Sequence, residues 1–162
     1  MRYFLFLLTF QACANLFSGV ENYFKIPTKI PPNPQIEGID FIYVINLDQR
    51  PSKFEETQSQ LISYSIDPYR FSAVNGWELS HHDLNQLGFI PNKSEQTPLM
   101  GTTYPTSDFS AHHEKIGKKE VCYFSHCMSR GAIGIVLSHC SVLAHALENI
   151  IKLSGSWRMI ST

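Results

Sequence analysis

The sequence has no excess of charge of one sign, since 13 Lys and Arg residues face 14 Asp and Glu residues along 162 positions. Proteins that bind nucleic acid concentrate basic residues in a patch or stripe, so no nucleic-acid partner is expected. The sequence also lacks the low hydrophobicity of a disordered chain, because 43% of its residues are hydrophobic and 12% are aromatic. A chain of this length and composition can bury the core of one globular domain.

Tight C-x2-C pairs, which are typical of structural zinc sites, are absent from the sequence. Cys122 and Cys127 form only a loose C-x4-C spacing, and the pairs His126-Cys127 and His139-Cys140 lie 13 residues apart. A zinc site is one interpretation of these residues. In an exported protein a disulfide between two of these three cysteines, leaving an odd thiol, is the alternative, and buried free cysteines are a third.

A hydrophobic run of about 20 residues, the length that a stable membrane anchor needs, is missing at the N-terminus. Residues 1–14 instead combine one basic residue, an apolar run from Tyr3 to Phe10 and the sequence Ala12-Cys13-Ala14. That order predicts a cleaved secretory signal peptide, and therefore export to the periplasm or a secretory lumen. If the segment is instead a buried N-terminal strand or helix, the protein is expected in the cytoplasm. No stable membrane span is expected.

Residues 15–38 are rich in proline, with Pro27, Pro31, Pro32 and Pro34 close together. Proline favours extended backbone and cannot pair within a central strand. We therefore predict a linker at 15–38, followed by a domain at 39–162.

The stretch from Asp40 to Gly76 has the pattern of a β-α-β unit. Phe41 to Ile45 is a short apolar run, typical of a strand that is buried on both faces. A helix is predicted from about Pro51 to Ser63, and a second, parallel strand from Tyr69 to Val74. The helix face that packs on the sheet is predicted to comprise Phe54, Leu61 and Ile62.

Ligands of open α/β sheets bind beyond the carboxyl ends of the parallel strands. Polar residues and a glycine follow both predicted strands at that point, and we expect one crevice to be surrounded by Asn46, Asp48, Arg50, Asn75 and Gly76. Arg50 has the charge to pair with a phosphate group, and Gly76 permits close approach of backbone to a ligand.

A short helix is predicted at 79–88, with Ser80 as its N-cap and Asp83 as the acid of a capping box. His81 and His82 are interpreted as surface polar residues, because no further metal ligand follows at matching spacing. Residues 89–120 lack hydrophobic periodicity. They are expected to form a long loop, either a functional lid (in a transferase, on the acceptor side) or a disordered insertion.

A long helix is predicted from about Arg130 to Lys152, with Ser129 as its N-cap. Its apolar face at helical spacing is predicted to comprise Ile133, Val136, Leu137, Cys140, Ala144, Leu147 and Ile151. Ser138 and His139 lie beside this face, near the predicted crevice. By pattern alone, His139 is more typical of a hydrogen-bonded core histidine than of a catalytic one.

Three segments, YVINLDQRPSKFEETQSQL, YRFSAVNG and GAIGIVLSH, together resemble glycosyltransferase family 25, which includes lipooligosaccharide and collagen galactosyltransferases. The resemblance covers about Ile39 to Asn149. It implies an α/β, partly GT-A-like (Rossmann-like) fold that binds a nucleotide sugar. It also implies transfer of a hexose, with galactose as the expected sugar, from a UDP-sugar donor to a glycan or protein acceptor, as in lipopolysaccharide biosynthesis. Its S-H pair makes Ser138 a candidate donor-binding residue and His139 a candidate catalytic base.

Complete members of that family carry an acidic E-D-D type motif that holds Mn²⁺ or Mg²⁺ against the donor diphosphate. The five aspartates of this sequence are isolated from one another: Asp40, Asp48, Asp67, Asp83 and Asp108. Ala132 also stands where the family usually has Glu, and Ile135 where it usually has Cys. We therefore expect no metal bound at such a motif, and a domain that is truncated before it and inactive or incomplete as a transferase. The alternative is an exported, non-catalytic binding or interaction domain.

Overall fold

The computed structural model describes residues 19–27, 35–91, 99–107, 109–118 and 120–153. Helices and small sheets are mixed along these residues, as in an α/β protein. The chain divides into two compact units: the first unit is Met1–Tyr23 with Gly76–Ile133, and the second unit is Phe24–Asn75 with Gly134–Thr162. The predicted signal peptide at 1–14 lies outside the described residues.

The second unit contains the β-α-β arrangement that the sequence predicts. Strand β1 is Tyr43–Asn46, helix α1 is Pro51–Ile62 and strand β2 is Tyr69–Ser72. The two strands are parallel neighbours, with Tyr43 opposite Tyr69 and Asn46 opposite Ser72. Proline stands in the first turn of α1, where its missing N–H and fixed φ suit the start of a helix. The prediction of a parallel pair joined by one helix is confirmed.

The burial of this β-α-β arrangement differs from the sequence prediction. Phe71 and Val74 are buried, but Asn46 is the only buried residue of β1, whose other residues are half-buried. The prediction of a first strand buried on both faces is therefore wrong, since side chains alternate between the faces of a strand and Tyr43, Val44 and Ile45 are each only half-buried. Ile62 is also not part of the inward face of α1: it is the last residue of the helix and is 57% exposed.

Helix α3 spans Arg130–Leu153, close to the predicted bounds. The hydroxyl of Ser129 accepts a hydrogen bond from the backbone N–H of Ala132 at 3.1 Å, which confirms the predicted N-cap. The buried positions differ from the predicted apolar face, since Val136 is 49% and Leu147 is 41% exposed. Ile133 and Leu137 of the predicted face are buried, as expected. The other buried residues of α3 among those described up to Glu148 are Gly134, Ser138, Ser141 and His145, which the prediction did not include.

The segment Arg130–Glu148 of α3 is long and apolar enough to cross a bilayer, with a mean hydropathy of 1.4 over 19 residues. It is the one such helix among the described residues. Core helices of soluble proteins meet the same criteria, so this property is weak evidence of a membrane span.

The first unit holds a 3-10 helix at Val20–Tyr23, helix α2 at His81–Leu87 and three strands. Strands β3 (Met100–Thr103), β4 (His112–Lys115) and β5 (Phe124–Ser125) form an antiparallel sheet in the order β4-β3-β5. Two of these strands lie within the predicted loop at 89–120. The sequence His-His-Glu-Lys of β4 has no apolar alternation, which is the signal by which strands are usually predicted.

Contacts among aromatic and small residues hold the first unit together. Tyr123 and Leu84 are almost fully buried. A Cβ atom at Gly101 would lie 2.8 Å from the Tyr123 ring, so β3 can approach that ring only with glycine at this position. The hydroxyl of Tyr23 donates to Gln86 at 2.8 Å. Part of the predicted linker is thus folded within this unit.

The predicted capping box of α2 is confirmed. The hydroxyl of Ser80 accepts from the backbone N–H of Asp83 at 3.2 Å, and the Asp83 carboxylate accepts from the backbone N–H of Ser80 at 2.8 Å. Hydrogen bonds from Ser80 hold the pKa of the Asp83 carboxyl below its ordinary value.

Candidate functional site

Asn46 fixes the loop that follows β1. Its side-chain amide donates to the carbonyl of Arg50 at 3.0 Å, and its side-chain oxygen accepts from the Arg70 guanidinium at 2.9 and 3.1 Å. The buried amide thus joins the end of β1, the start of α1 and a side chain of β2. In the predicted site Asn46 therefore positions the loop.

Asp48 lies in the same network, with its charge already balanced. Its carboxylate accepts from Arg70 Nη2 at 3.0 Å and from the hydroxyl of Ser72 at 2.7 Å. The Ser72 hydrogen bond is the largest cause of a lowered pKa for Asp48, and the Arg70 charge adds to it. Arg70 and Ser72 stand two apart on β2, so both side chains point to one face of the strand. Sequence reasoning missed both residues, although this polar i, i+2 pair beside the predicted crevice was a usable signal.

Arg50 is exposed at the start of α1. Its carbonyl accepts from Asn46 and, at 3.2 Å, from the backbone N–H of Lys53, while no side chain caps this end of the helix. The partial positive charge of a helix N-terminus and the guanidinium both attract anions. The Arg70 guanidinium, in contrast, is engaged by Asn46 and Asp48 and lies 5.8 Å from the centre of the Phe54 ring.

The two remaining residues of the predicted crevice lie at the unit boundary. Asn75 is half-buried, has interaction partners and ends the first segment of the second unit. Gly76 belongs to the first unit, where its carbonyl accepts from Arg130 Nε at 3.3 Å. Within one unit, therefore, the structure brings together Asn46, Asp48 and the backbone of Arg50, and adds Arg70 and Ser72.

Ser138 connects two segments of the second unit through its hydroxyl group. Its buried hydroxyl accepts from the backbone N–H of Val74 at 2.8 Å and donates to the carbonyl of Gly134 at 2.7 Å. These bonds satisfy a backbone donor just after β2 that would otherwise be buried without a partner. Ser138 therefore links the backbone just after β2 to α3. Because its hydroxyl is buried and already makes these two hydrogen bonds, it is not placed to contact a nucleotide-sugar donor directly.

His139 is exposed, and its Nδ1 lies 2.8 Å from the carbonyl of Ile135. Because a carbonyl can only accept, Nδ1 carries the proton, and Nε2 is the nitrogen that can take one up. The interpretation of His139 as a core histidine is wrong. The buried histidine of α3 is His145, which sequence reasoning missed because it lies six residues beyond the family-like S-H pair.

His145 is enclosed by aromatic rings of the second unit. Its Nδ1 is hydrogen-bonded to the hydroxyl of Tyr43 at 2.8 Å, and its ring lies edge-on to Tyr43 and Phe41. Burial is the main cause of a raised pKa for Tyr43. A buried polar pair that is fully hydrogen-bonded specifies packing, and we assign this role to Tyr43 and His145.

The three described cysteines are free thiols, so they form no disulfide with one another. Cys122 is buried and donates to the carbonyl of Asn85 at 3.1 Å, and burial raises the pKa of its thiol. Cys140 is half-buried, whereas Cys127 is exposed. His126 and Cys127 lie together with His113 of β4, and within the described residues this is the one group of three side chains that could hold a metal ion.

His81 and His82 lie on α2 and do not belong to that group; His82 is exposed and His81 is half-buried. The His81 ring lies 3.0 Å from the side-chain amide of Asn85 and 3.3 Å from the hydroxyl of Thr106. His82 lies 3.5 Å from the amide of Gln86. The interpretation as a polar surface residue agrees with the exposure of His82, whereas His81 is partly covered.

No protein-family model matches the chain, and neither do any of the curated proteins or solved structures that were compared with it. The resemblance to glycosyltransferase family 25 therefore depends on the three short motifs alone.

Proposed function

We propose that the second unit is a nucleotide-sugar-binding unit of the glycosyltransferase family 25 type. The ligand is the diphosphate part of a UDP-hexose, and the finer fold assignment is a partial GT-A-like, Rossmann-like one. The observation that carries the proposal is the position of Arg50, exposed beyond the carboxyl end of a parallel strand and at a helix N-terminus that no side chain caps.

The geometry around β1 supports a division of roles within the motif Ile45-Asn46-Leu47-Asp48-Gln49-Arg50. Asn46 is buried and clamps the loop through the carbonyl of Arg50. The backbone at residue 50 is thereby fixed, while its guanidinium stays exposed. Because the backbone at residue 50 is already fixed, pairing of the guanidinium with a phosphate costs the entropy of the side chain but no further backbone entropy, which favours binding.

We propose weak donor binding and little or no sugar transfer. A departing diphosphate needs a cation, and glycosyl transfer usually supplies it through clustered carboxylates. The aspartates here are isolated in sequence, and Asp48 is occupied by Arg70 and Ser72. His139 has a basic Nε2 and is the candidate acceptor-side base, but a base alone does not replace the missing stabilisation of charge.

Calorimetric titration with uridine diphosphate, with and without Mn²⁺, tests the proposal. Loss of one charge-assisted hydrogen bond costs about 1.5–3 kcal/mol, so Arg50→Ala should weaken binding about tenfold or more. Lys115→Ala, which removes one positive charge from an exposed position of the first unit, is the matched control and should leave binding unchanged.

Equal effects of the two substitutions, or none, would contradict the assignment of Arg50. An assay of galactosyl transfer from UDP-galactose with Mn²⁺ separates the two functional classes. Turnover that Arg50→Ala abolishes would indicate a complete transferase and would contradict the proposal of a binding unit without catalysis.

A further inference from the structure

We propose that His113, His126 and Cys127 form a binding site for a borderline transition-metal ion of the Zn²⁺ type. This site lies in the first unit and does not depend on the proposed nucleotide-sugar function. Each of the three residues offers one ligand atom, and these atoms lie within 4.8 Å of one another.

The spacing is close to that of a bound zinc ion. Zn–N bonds of about 2.0 Å and Zn–S bonds of about 2.3 Å place the ligands of a tetrahedral site about 3.3–3.7 Å apart. The three side chains are exposed, so small rotations about their side-chain bonds can bring the ligand atoms to that distance. The rings of His113 and His126 already meet edge to face, with their centres 5.1 Å apart.

The antiparallel sheet brings these residues together although His113 and His126 are 13 positions apart in the sequence. Thr102 of β3 stands opposite His113 of β4 on one side and opposite Phe124 of β5 on the other. His126 comes two residues after Phe124, so a continued strand would direct both side chains to the same face. The sheet register thus explains how His126 reaches His113.

A turn brings Cys127 to the same side as His126. The backbone N–H of Met128 donates to the carbonyl of Ser125 at 3.1 Å, which closes a four-residue turn. Cys127 is its third residue and has a φ of 61°, in the left-handed region that a type II turn requires there and that glycine usually occupies. In a regular strand, neighbouring side chains point to opposite faces. The left-handed conformation of Cys127 breaks this alternation, so the side chains of His126 and Cys127 can lie on the same side.

Thr102 supplies the outer contact that metal-binding histidines usually have. Its side chain is fully buried, and its hydroxyl lies 3.1 Å from Nδ1 of His113. With Nδ1 donating to this hydroxyl, Nε2 of His113 remains for the metal. Such partners fix the orientation of the ring, and their loss typically lowers metal affinity by about 10–100-fold.

The donor set decides which metal fits. Two imidazole nitrogens and one thiolate suit Zn²⁺ and related borderline ions, whereas Mg²⁺, Ca²⁺ and Mn²⁺ prefer oxygen ligands. Three protein ligands leave a fourth position for water or another group. A metal held here would tie β4 to the turn after β5 across β3, so binding should also stabilise the first unit.

Titration of the reduced, metal-stripped full chain with ZnCl2, followed by calorimetry, is the primary test. Parallel titration with CoCl2 should produce the thiolate-to-cobalt charge-transfer band that a Cys ligand causes. We expect one Zn²⁺ per chain, with no comparable binding of Mg²⁺. His113→Gln and Cys127→Ser should each weaken Zn²⁺ binding at least about tenfold, and Thr102→Val by about tenfold or more.

Two matched controls lie in the chain itself. His112 is the neighbouring histidine of β4, where side chains alternate between faces, and it is hydrogen-bonded to Ser110. Cys140 is a half-buried thiol of the second unit. His112→Gln and Cys140→Ser should leave Zn²⁺ affinity and the cobalt band unchanged.

Cys127→Gly provides a variant that should keep its fold, because glycine adopts the positive φ of this position readily. It should lose the cobalt charge-transfer band while its circular dichroism spectrum stays that of the original chain. The proposal is overturned if the band persists in Cys127→Gly, if His112→Gln weakens binding as much as His113→Gln, or if the chain binds no Zn²⁺.

Discussion

The two units use their polar side chains in opposite ways. At the parallel strands of the second unit, hydrogen-bond donors are paired with acceptors. Arg70 donates to Asp48 and Asn46, and Ser72 donates to Asp48. On the antiparallel sheet of the first unit, three groups that all offer lone pairs face one another. The first arrangement stabilises a fold, whereas the second needs a cation to become favourable.

This difference separates stability from ligand binding. Substitutions in the polar network of the second unit should lower the free energy of unfolding without any ligand. Substitutions in the His113, His126 and Cys127 group should change the stability only when metal is present. Four predictions follow this contrast from the largest effect to the smallest.

The largest loss of stability is expected for a substitution in the core of the second unit. Phe71 is almost fully buried on β2, and its ring lies 6.2 Å from the ring of Tyr43. Phe71→Ala should lower the free energy of unfolding by about 3–5 kcal/mol, because it removes a buried ring and leaves a cavity. Tyr64→Ala, at a 77% exposed aromatic position, is the control and should change it little. Urea unfolding measures both; equal losses would show that Phe71 is not a core residue.

The second-largest loss of stability is expected when the hydroxyl of Ser138 is removed. Ser138→Ala leaves the backbone N–H of Val74 without its acceptor, which should cost about 1–3 kcal/mol. The hydroxyl of Ser59 likewise donates to a backbone carbonyl of its own helix, that of Glu56. Ser59 is exposed, so Ser59→Ala should leave the free energy of unfolding nearly unchanged. Urea unfolding compares the two. If Ser138→Ala retains full stability but loses uridine diphosphate binding, then Ser138 contacts the donor directly and its architectural role is wrong.

The Asp48 carboxylate should give a smaller effect that depends on pH. Its folded-state pKa lies below the ordinary value of 3.8, so its interactions with Ser72 and Arg70 stabilise the fold at pH values above 3.8. This stabilisation is lost as the pH falls through the lower folded-state pKa. Because Asp48 and Arg70 are partly exposed, Asp48→Asn should cost less than about 1 kcal/mol at neutral pH.

Thermal unfolding between neutral pH and pH 3 measures this effect. The Asp48→Asn chain should lose less stability on acidification than the original chain does. An unchanged acid-side slope would mean that the Ser72 and Arg70 contacts of Asp48 do not persist in solution.

The smallest effect is expected in the first unit. In the presence of a chelator, His126→Gln should change the free energy of unfolding by no more than about 0.5 kcal/mol, as at other exposed positions. With ZnCl2 added, the original chain should gain thermal stability and the variant should not. A large loss in chelator would mean that His126 supports the fold by itself, and the contrast between the units would then fail.

Much of the second unit can be predicted from sequence because its signals are local. The apolar run before Asn46 and the proline at position 51 place β1 and α1, and in the first unit Ser80 and Asp83 place α2 in the same way. Residues beyond these signals are harder to predict. Arg70 and His145 matter through partners that lie 24 and 102 positions away, and no local pattern records such pairing.

The candidate metal group shows the same limit more strongly. His126-Cys127 can be recognised in the sequence, but the obvious companion is the similar pair His139-Cys140. The actual companion is His113, which lies in a stretch without periodicity that looks like a loop. Only the pairing of β4 and β5 with β3 reveals it.

The most direct test of two separate ligand chemistries is one pair of titrations, followed by amide chemical shifts in NMR spectra of the isotope-labelled chain. Uridine diphosphate should move the signals of residues 46–50 and 72–75 and leave those of His113, His126 and Cys127 in place. ZnCl2 should move the signals of His113, His126 and Cys127 and leave those of residues 46–50 and 72–75 in place. The account is contradicted if uridine diphosphate leaves residues 46–50 unchanged, or if Zn²⁺ shifts them as strongly as it shifts His113 and Cys127.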